Sequence, residues 1–177
     1  LMAGDKETGV SLQIVVKKMD AGPILGVRRI PLDEGVDAAW SYARMSELGS
    51  DLIAVELMDY LRGNLTPLSQ DKEQATFAPK IEKTESEINW SLPAEVIHNR
   101  IRGLVMGHVA QTRRSGQIVK VLRSKAHLQS HALRPGQVLE VSEKHLRLAC
   151  GQGSLELLEV QPESRSRMKI EDYLRGY

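Results

Sequence analysis

Two β-prone runs open the pattern of apolar and polar positions along the chain. Residues 10–16 read Val-Ser-Leu-Gln-Ile-Val-Val, and residues 24–30 read Ile-Leu-Gly-Val-Arg-Arg-Ile. Gly22 and Pro23 stand between them, and glycine followed by proline favours a turn because neither residue supports a continuous strand. The pattern therefore predicts two strands joined by a structured turn.

A helical period follows the two strands. Apolar side chains recur across residues 40–61 at spacings close to one face of a helix, with a break expected near Gly49. Asp37 is suited to cap the start of this helix, because its carboxylate can accept a hydrogen bond from a free backbone N–H of the first turn. The pair Gly63-Asn64 is a typical signal for the end of a helix.

The second half of the chain changes from one helix to a series of short strands. Ser91 is suited to cap a helix whose apolar face includes Ile97, Ile101 and Leu104. Turn residues then separate five β-prone runs, at residues 108–113, 117–124, 137–142, 145–149 and 154–160. These runs predict a small β-barrel behind one helix, and a last short helix is expected at residues 168–174.

This organisation predicts two domains, residues 1–65 and 87–177, with residues 66–86 as a polar, proline-containing linker. The charge distribution changes in the same region. Residues 1–85 hold 10 Lys and Arg against 14 Asp and Glu, whereas residues 86–177 hold 14 against 9. Such a basic second half indicates either an anionic partner or an ordinary solvated surface.

Composition narrows the class of protein. The 177 residues are 41% hydrophobic and 27% charged, and they contain no apolar run of about 18 residues, so no transmembrane helix is expected. The first nine residues do not have the pattern of a signal peptide. Cys150 is the single cysteine, which excludes an internal disulfide and suits a reducing, cytoplasmic location. It is expected to be a buried strand residue rather than a nucleophile, and no metal site is predicted.

Asp20 is the sharpest local candidate for chemistry. It follows the first apolar run and precedes the Gly-Pro turn, a position where α/β enzymes often place functional groups. The residues alone leave two readings open: a functional carboxylate, or a carboxylate that makes only a hydrogen bond within the turn.

An ordered series of short motifs resembles the folate-dependent formyltransferases, and in particular the methionyl-tRNA formyltransferases. The segment around Asp20, Met19-Asp20-Ala21-Gly22-Pro23, is similar to their Leu/Met-Asp-Ala/Thr-Gly-Pro/Asp segment. Further similar segments occur in the same order along the chain: Glu7-Thr8-Gly9-Val10-Ser11, Thr76-Phe77-Ala78-Pro79-Lys80-Ile81, Ile88-Asn89-Trp90-Ser91, Ile97-His98-Asn99-Arg100-Ile101-Arg102, Pro135-Gly136-Gln137-Val138 and Gly153-Ser154-Leu155-Glu156-Leu157.

The resemblance implies a fold and an activity. The fold class is α/β, an incomplete Rossmann-like formyltransferase domain followed by a small OB-like β-barrel domain. The implied enzyme transfers a formyl group from 10-formyltetrahydrofolate, its co-substrate, to the amino group of initiator methionyl-tRNA. By resemblance Asp20 is the catalytic aspartate. The residues that the resemblance places near the folate pocket are Thr8, Gly9, Met19, Ala21 and Gly22.

The family pairs this aspartate with an asparagine and a histidine in an Asn-x-His-x-Ser-Leu-Leu-Pro motif, to which no segment of this chain corresponds. The resemblance therefore implies the C-terminal portion of a longer enzyme, inactive on its own and monomeric. Basic residues are the candidates for contact with tRNA phosphates, although each also fits a solvated surface. They are Arg100, Arg102, Arg113, Arg114, Lys120, Arg123 and Lys125.

Two rival readings remain open at this point. The first is a related enzyme that acts on an amino sugar or on formyltetrahydrofolate itself. The second is a tRNA-binding module without catalysis. The basic second half favours tRNA over a nucleotide sugar, because RNA binding depends on phosphate contacts from Lys and Arg.

Overall fold

The computed structural model describes residues 1–176 and shows two compact units. Asp5–Lys80 form the first, called here the hairpin unit. Leu1–Gly4 and the residues from Ile81 onward form the second, called here the sheet unit. The molecule is mixed α/β, as the sequence predicts. In residues 1–176, no helix combines the length and the apolar character needed to cross a membrane.

A two-stranded antiparallel hairpin begins the hairpin unit. Strand β1 (Glu7–Gln13) pairs with strand β2 (Ile24–Pro31), in a register that runs from Glu7 opposite Pro31 to Gln13 opposite Ile24. Both strands are predicted correctly, but β1 ends before Val15, whose side chain is 93% exposed. The apolar run 10–16 therefore belongs only in part to the strand, because its last residues enter the turn.

One long helical segment packs against the hairpin. Helix α1 (Ala38–Leu52) continues through a π-helical turn (Ile53–Leu57) into α2 (Met58–Leu61). Asp37 caps α1 as predicted, with its Oδ1 accepting from the Trp40 N–H at 2.9 Å. The expected break near Gly49 is wrong: α1 runs through this residue without interruption.

The helical segment ends at glycine in a Schellman arrangement. Gly63 has a φ of 77°, a left-handed conformation that glycine adopts without steric cost. The N–H of Asn64 donates to the carbonyl of Asp59, and the N–H of Gly63 donates to that of Tyr60. The predicted end signal is therefore confirmed. The buried apolar residues of this unit are Leu25, Ile30, Leu32, Ala38 and Leu52.

Six antiparallel strands make up most of the sheet unit. They are β3 (Gln111–Arg114), β4 (Gln117–His127), β5 (Val138–Val141), β6 (Leu146–Ala149), β7 (Ser154–Pro162) and β8 (Met168–Lys169). The order is β3-β4-β7-β6-β5, with β8 also paired to β7. The five predicted strands are all present. The short strand β8 replaces the first turn of the expected last helix, since α4 spans Ile170–Gly176.

Helix α3 (Ala94–Leu104) covers the core of this sheet, with a contribution from α4. It buries Ala94, Ile97, Ile101 and Leu104, spaced three to four residues apart on one face. They pack with sheet residues such as Val121 and with Tyr173 of α4, and the fully buried members include Leu155 and Val160. Pro93, not Ser91, occupies the N-cap position, because residues 89–92 form a separate turn closed by Leu92 N–H to Asn89 O.

Gly151 allows the segment before α3 to pass very close to the end of β6. Its N–H lies within hydrogen-bond distance of the carbonyls of Trp90 and Leu92, at 2.9 and 3.0 Å. A Cβ at this position would lie 2.0 Å from the Ser91 oxygen, which is far inside van der Waals contact. The backbone itself would therefore have to move to accept any side chain here.

We expect Gly151→Ala to lower the free energy of unfolding of the sheet unit by at least about 1–3 kcal/mol, the usual range for a forced overpacking. Urea unfolding followed by circular dichroism measures the change. Gly107→Ala is the matched control, because an added methyl there meets nothing within 4 Å. Equal midpoints for the two variants would contradict the expected clash.

Candidate functional site

The turn between β1 and β2 presents Asp20 to solvent. Asp20 has a φ of 53°, in the left-handed region that aspartate tolerates better than most residues. Its Oδ1 accepts a hydrogen bond from Gln13 Nε2 at 3.2 Å. Met19 beside it is 86% exposed. The turn therefore displays the carboxylate with one hydrogen bond from a side chain of its own hairpin.

Gly22 makes this turn sterically possible. A Cβ on Gly22 would lie 1.7 Å from the carbonyl oxygen of Ile14. The Ile14 N–H donates to the Pro23 carbonyl at 2.9 Å and closes the base of the turn. Ala21 is half-buried within the turn. Residues 19–22 thus form one local structure, as the predicted Gly-Pro turn requires.

Thr8 and Gly9 lie elsewhere on the hairpin. They pair with Ile30 and Arg29, toward the end of the hairpin opposite the Asp20 turn. A Cβ on Gly9 would lie 2.4 Å from the carbonyl oxygen of Arg28, so this glycine serves close approach of the strands. Within the hairpin unit, the structure does not bring Thr8 and Gly9 beside Asp20.

Gln70 does reach the Asp20 turn, although sequence reasoning did not select it. Its Nε2 lies 2.7 Å from the Gly22 carbonyl oxygen, 3.0 Å from the Asp20 carbonyl oxygen and 3.1 Å from Gln13 Oε1. The residue belongs to the polar stretch that the sequence pattern assigned to a linker. No periodic signal marks such an amide, because its contacts depend on the path of an irregular segment.

Four of the predicted tRNA-binding arginines have partners within the sheet unit. Arg100 donates to the carbonyl of Glu85 at 3.0 Å, and Arg102 is 7% exposed and donates to Asn99 Oδ1 at 2.9 Å. Arg113 contacts Gly116 and Glu87. Arg114 donates to the Tyr173 hydroxyl at 3.1 Å and lies over the Tyr173 ring. In the absence of RNA, the four guanidinium groups therefore already contact other groups of the sheet unit.

The other three predicted residues lie along one strand. Lys120, Arg123 and Lys125 are exposed positions of β4, while Val119, Val121 and Ser124 of the same strand are buried. A register shift between β4 and β7 occurs at Arg123 and keeps the basic residues on the exposed side despite their uneven spacing. Lys120, Arg123 and Lys125 are called here the β4 basic row.

Near the end of β4, two histidines share one carboxylate. His127 Nε2 donates to Glu156 Oε2 at 2.8 Å, and His145 Nδ1 donates to Glu156 Oε1 at 2.7 Å. Burial by itself would raise the pKa of Glu156, but the hydrogen bonds from His145 and His127 outweigh it and lower that pKa below 4.5. Glu156 is therefore ionised at neutral pH and holds both histidines.

We expect Glu156→Gln to lower the free energy of unfolding of the sheet unit by about 1–2 kcal/mol at pH 7, because a hydrogen bond to a charged group is lost. A folded-state pKa below 4.5 means that the carboxylate contributes stability above about pH 4.5 and loses it as the pH falls through the folded-state value. The difference from wild type should therefore vanish in acid, as urea unfolding at a series of pH values would reveal. Glu143→Gln, at an exposed turn position, should be neutral throughout.

Cys150 is a core residue in the structure. It is 1% exposed, and burial raises the pKa of its thiol to about 11, so the thiol stays protonated at neutral pH. A protonated, buried thiol is a poor nucleophile. Among residues 1–176, no group of three or more His, Cys, Asp or Glu side chains is arranged to hold a metal ion.

The fold is that of known formyltransferases. A structure of HypX from Aquifex aeolicus in complex with tetrahydrofolic acid superimposes with a TM-score of 0.70 at 17% identity, over 99% of this chain and 31% of that one. An N-formyltransferase from Helicobacter canadensis, in complex with folinic acid and dTDP-3-aminofucose, gives a TM-score of 0.71 at 16% identity, over 91% of this chain and 58% of that one. At such low identities the likeness concerns the fold alone.

Sequence comparison defines the family more closely. The formyl transferase C-terminal domain matches residues 80–177, and the chain belongs to the formyl transferase family. A methionyl-tRNA formyltransferase of Bdellovibrio bacteriovorus is 45% identical, over 99% of this chain and 56% of that protein. One of Pediococcus pentosaceus is 38% identical, over 99% of this chain and 55% of that protein. The chain spans about half the length of the curated relatives it matches.

Proposed function

We propose that this chain is the C-terminal portion of an enzyme that transfers a formyl group from 10-formyltetrahydrofolate to the amino group of initiator methionyl-tRNA, in the cytoplasm, at the start of translation. The identity of 45% to the Bdellovibrio bacteriovorus methionyl-tRNA formyltransferase, over 99% of the chain, carries this proposal. The sugar N-formyltransferases resemble the chain in fold, at 16–17% identity. The close relatives therefore favour a tRNA acceptor over an amino sugar.

The Asp20 turn supplies the carboxylate of the proposed active site. When the amine attacks the formyl carbon, negative charge develops on the formyl oxygen, and the nitrogen must lose a proton. An exposed carboxylate such as Asp20 can accept that proton through water or orient a histidine that does so. Met19, Ala21 and Gly22 of the same turn are the residues that we place nearest the folate. Thr8 and Gly9 contribute to the hairpin that carries the turn.

The sheet unit supplies the proposed contact with tRNA. We assign it to an OB-like barrel, supported by its five main antiparallel strands and by helix α3 packed on them. The β4 basic row gives this unit three exposed cations on one strand. Arg100, Arg102, Arg113 and Arg114 are less suited to phosphate contact, because binding RNA would compete with the partners they already have. The molecule that acts is proposed to be a monomer.

A fusion enzyme, called here the two-relative enzyme, tests the proposed reaction. The upstream portion of the Bdellovibrio bacteriovorus relative is joined to residues 1–177 of this chain and given radiolabelled 10-formyltetrahydrofolate. Initiator methionyl-tRNA, a dTDP-linked amino sugar and water are offered as acceptors in parallel. Label should appear in formylmethionyl-tRNA. Label in the sugar or in free formate instead would identify one of the rival activities.

The 177-residue chain alone is proposed to be inactive. It contains Asp20 but no Asn-x-His segment to stabilise the oxyanion. The same assay with the isolated chain should give no product above the rate without enzyme. RNA binding without formylation would agree with a chain that contacts tRNA but cannot catalyse the reaction alone. Formylation by the isolated chain would overturn the proposal.

A further inference from the structure

Gln70 lies 48 residues along the chain from Gly22, yet its side chain contacts the turn that displays Asp20. Its amide nitrogen faces the carbonyl oxygens of Gly22 and Asp20 and the side-chain oxygen of Gln13. An amide carries two hydrogens, so three acceptors share two donors. This makes Gln70 the one side chain outside residues 13–23 that the structure of residues 1–176 shows hydrogen-bonded to the turn.

The contact with Gln13 extends to the carboxylate of Asp20. Gln13 Oε1 accepts from Gln70, so the Gln13 nitrogen is left facing Asp20 Oδ1 at 3.2 Å. The two amide orientations agree with each other, because the Gln70 nitrogen faces acceptors, the Gln13 oxygen faces the Gln70 nitrogen, and the Gln13 nitrogen faces a carboxylate oxygen. Gln70, Gln13 and Asp20 therefore form a short chain of hydrogen bonds that ends on one carboxylate oxygen.

Apart from the Ile14 N–H to Pro23 carbonyl bond at its base, the turn has few other restraints. Met19 is exposed and packs no apolar core, and the Ala21 N–H reaches the Lys18 carbonyl at a long 3.4 Å. The left-handed conformation of Asp20 carries a steric cost, which surrounding contacts must offset. Among residues 1–176, the hydrogen bonds from Gln70 are the contacts that hold both carbonyls flanking Ala21.

The backbone places Gln70 firmly. Two residues before it, Leu68 and Ile24 exchange a pair of backbone hydrogen bonds, each of 2.8 Å, which ties the segment to the start of β2. Gln70 is thus anchored to the same strand that leaves the turn. Because the backbone next to Gln70 is fixed, its side chain can hold the turn in place.

We infer that Gln70 is a positioning residue for Asp20: it fixes the backbone of the turn directly and the direction of the carboxylate through Gln13. The expected effect on catalysis rests on the proposed function. The expected effect on the turn concerns this chain alone. Gln70 also gives the stretch 66–86 a role that goes beyond linking two domains.

NMR relaxation measurements on the 177-residue chain test whether Gln70 holds the Asp20 turn. Backbone order parameters at Asp20, Ala21 and Gly22 should be near the rigid value of about 0.85 in wild type and fall below about 0.6 in Gln70→Ala. Gln70→Glu should have at least as large an effect, because a carboxylate cannot donate to the two carbonyls. Unchanged amide shifts elsewhere in the hairpin unit check that each variant folds.

Gln74→Ala is the matched control. Gln74 lies in the same segment and donates to Asp71 at 2.9 Å, with no contact to the turn. In the Gln74→Ala variant, the order parameters at residues 20–22 should equal those of wild type. Rigid order parameters in both Gln70 variants, or an equal loss in Gln74→Ala, would overturn the inference whatever the enzyme does.

The two-relative enzyme tests the catalytic consequence separately. Gln70→Ala should lower kcat roughly 10- to 100-fold with little change in KM for tRNA, the range expected when a supporting residue misplaces a catalytic group. A rise in KM alone would contradict a positioning role. If the enzyme with Gln70 intact formylates no tRNA, the proposed function fails, while the order parameters still decide whether Gln70 holds the turn.

Discussion

Asp20→Asn is expected to lower the rate of formyl transfer by about 10²- to 10⁴-fold in the two-relative enzyme, the range over which positioned acid–base groups contribute. Asparagine has nearly the same shape and tolerates the left-handed φ of 53°, so the turn should persist. It lacks the negative charge and cannot accept a proton. The loss should therefore appear in the rate constant of formyl transfer, measured by single-turnover formylation of methionyl-tRNA.

The control for this variant is Asp51→Asn. Asp51 is an exposed carboxylate on α1 of the same unit, and its substitution changes net charge by the same amount. Formylation should continue at the wild-type rate. A fully active Asp20→Asn enzyme would mean that the carboxylate serves only the hydrogen bond from Gln13, which is the alternative that the sequence left open.

Removing the β4 basic row is expected to weaken RNA binding by roughly 50- to 200-fold at about 0.15 M salt. The estimate follows if each of Lys120, Arg123 and Lys125 neutralises one phosphate, since each such contact contributes about 0.7–0.9 to the salt exponent. The triple variant to glutamine tests this by titration of initiator tRNA onto the 177-residue chain. The slope of log affinity against log salt should fall by about 2 to 3.

A second triple variant separates local contact from net charge. Lys72, Lys80 and Lys83 are exposed, and their change to glutamine removes the same total charge. Affinity should fall far less in this variant. Equal losses in the two triple variants would show that the β4 basic row contributes only general charge and that tRNA contacts another surface.

Periodicity predicted the regular elements because those elements owe their stability to alternating or one-sided burial. Ile97, Ile101 and Leu104 identify α3, and Val119 and Val121 alternate with exposed residues along β4. The strand β8 was missed, because two residues paired to Glu159 and Val160 are too few to show a period. The predicted helix break at Gly49 failed because a single glycine inside a helix costs only about 1 kcal/mol relative to alanine and does not by itself end the helix.

In the candidate site too, some residues could be selected from the sequence and others could not. Asp20 and Gly22 could be selected from sequence, since Gly-Pro marks a turn after the strand and the turn leaves no room for a side chain at Gly22. Gln70 could not, because it reaches the turn through an irregular segment. The arginines show the opposite error: Arg102 looks like a basic surface residue in the sequence but is almost fully buried beside Asn99.

Strand β7 has a consequence for how the protein is made. It pairs with β4, β6 and β8, so the central part of the sheet needs residues 154–162 before it can assemble. The hairpin that displays Asp20 closes within residues 7–31. Contacts between neighbouring segments form sooner than distant ones. During synthesis, the Asp20 turn can therefore form while β4 still has no partner on that side, and the apolar face of β4 stays accessible to chaperones until β7 leaves the ribosome.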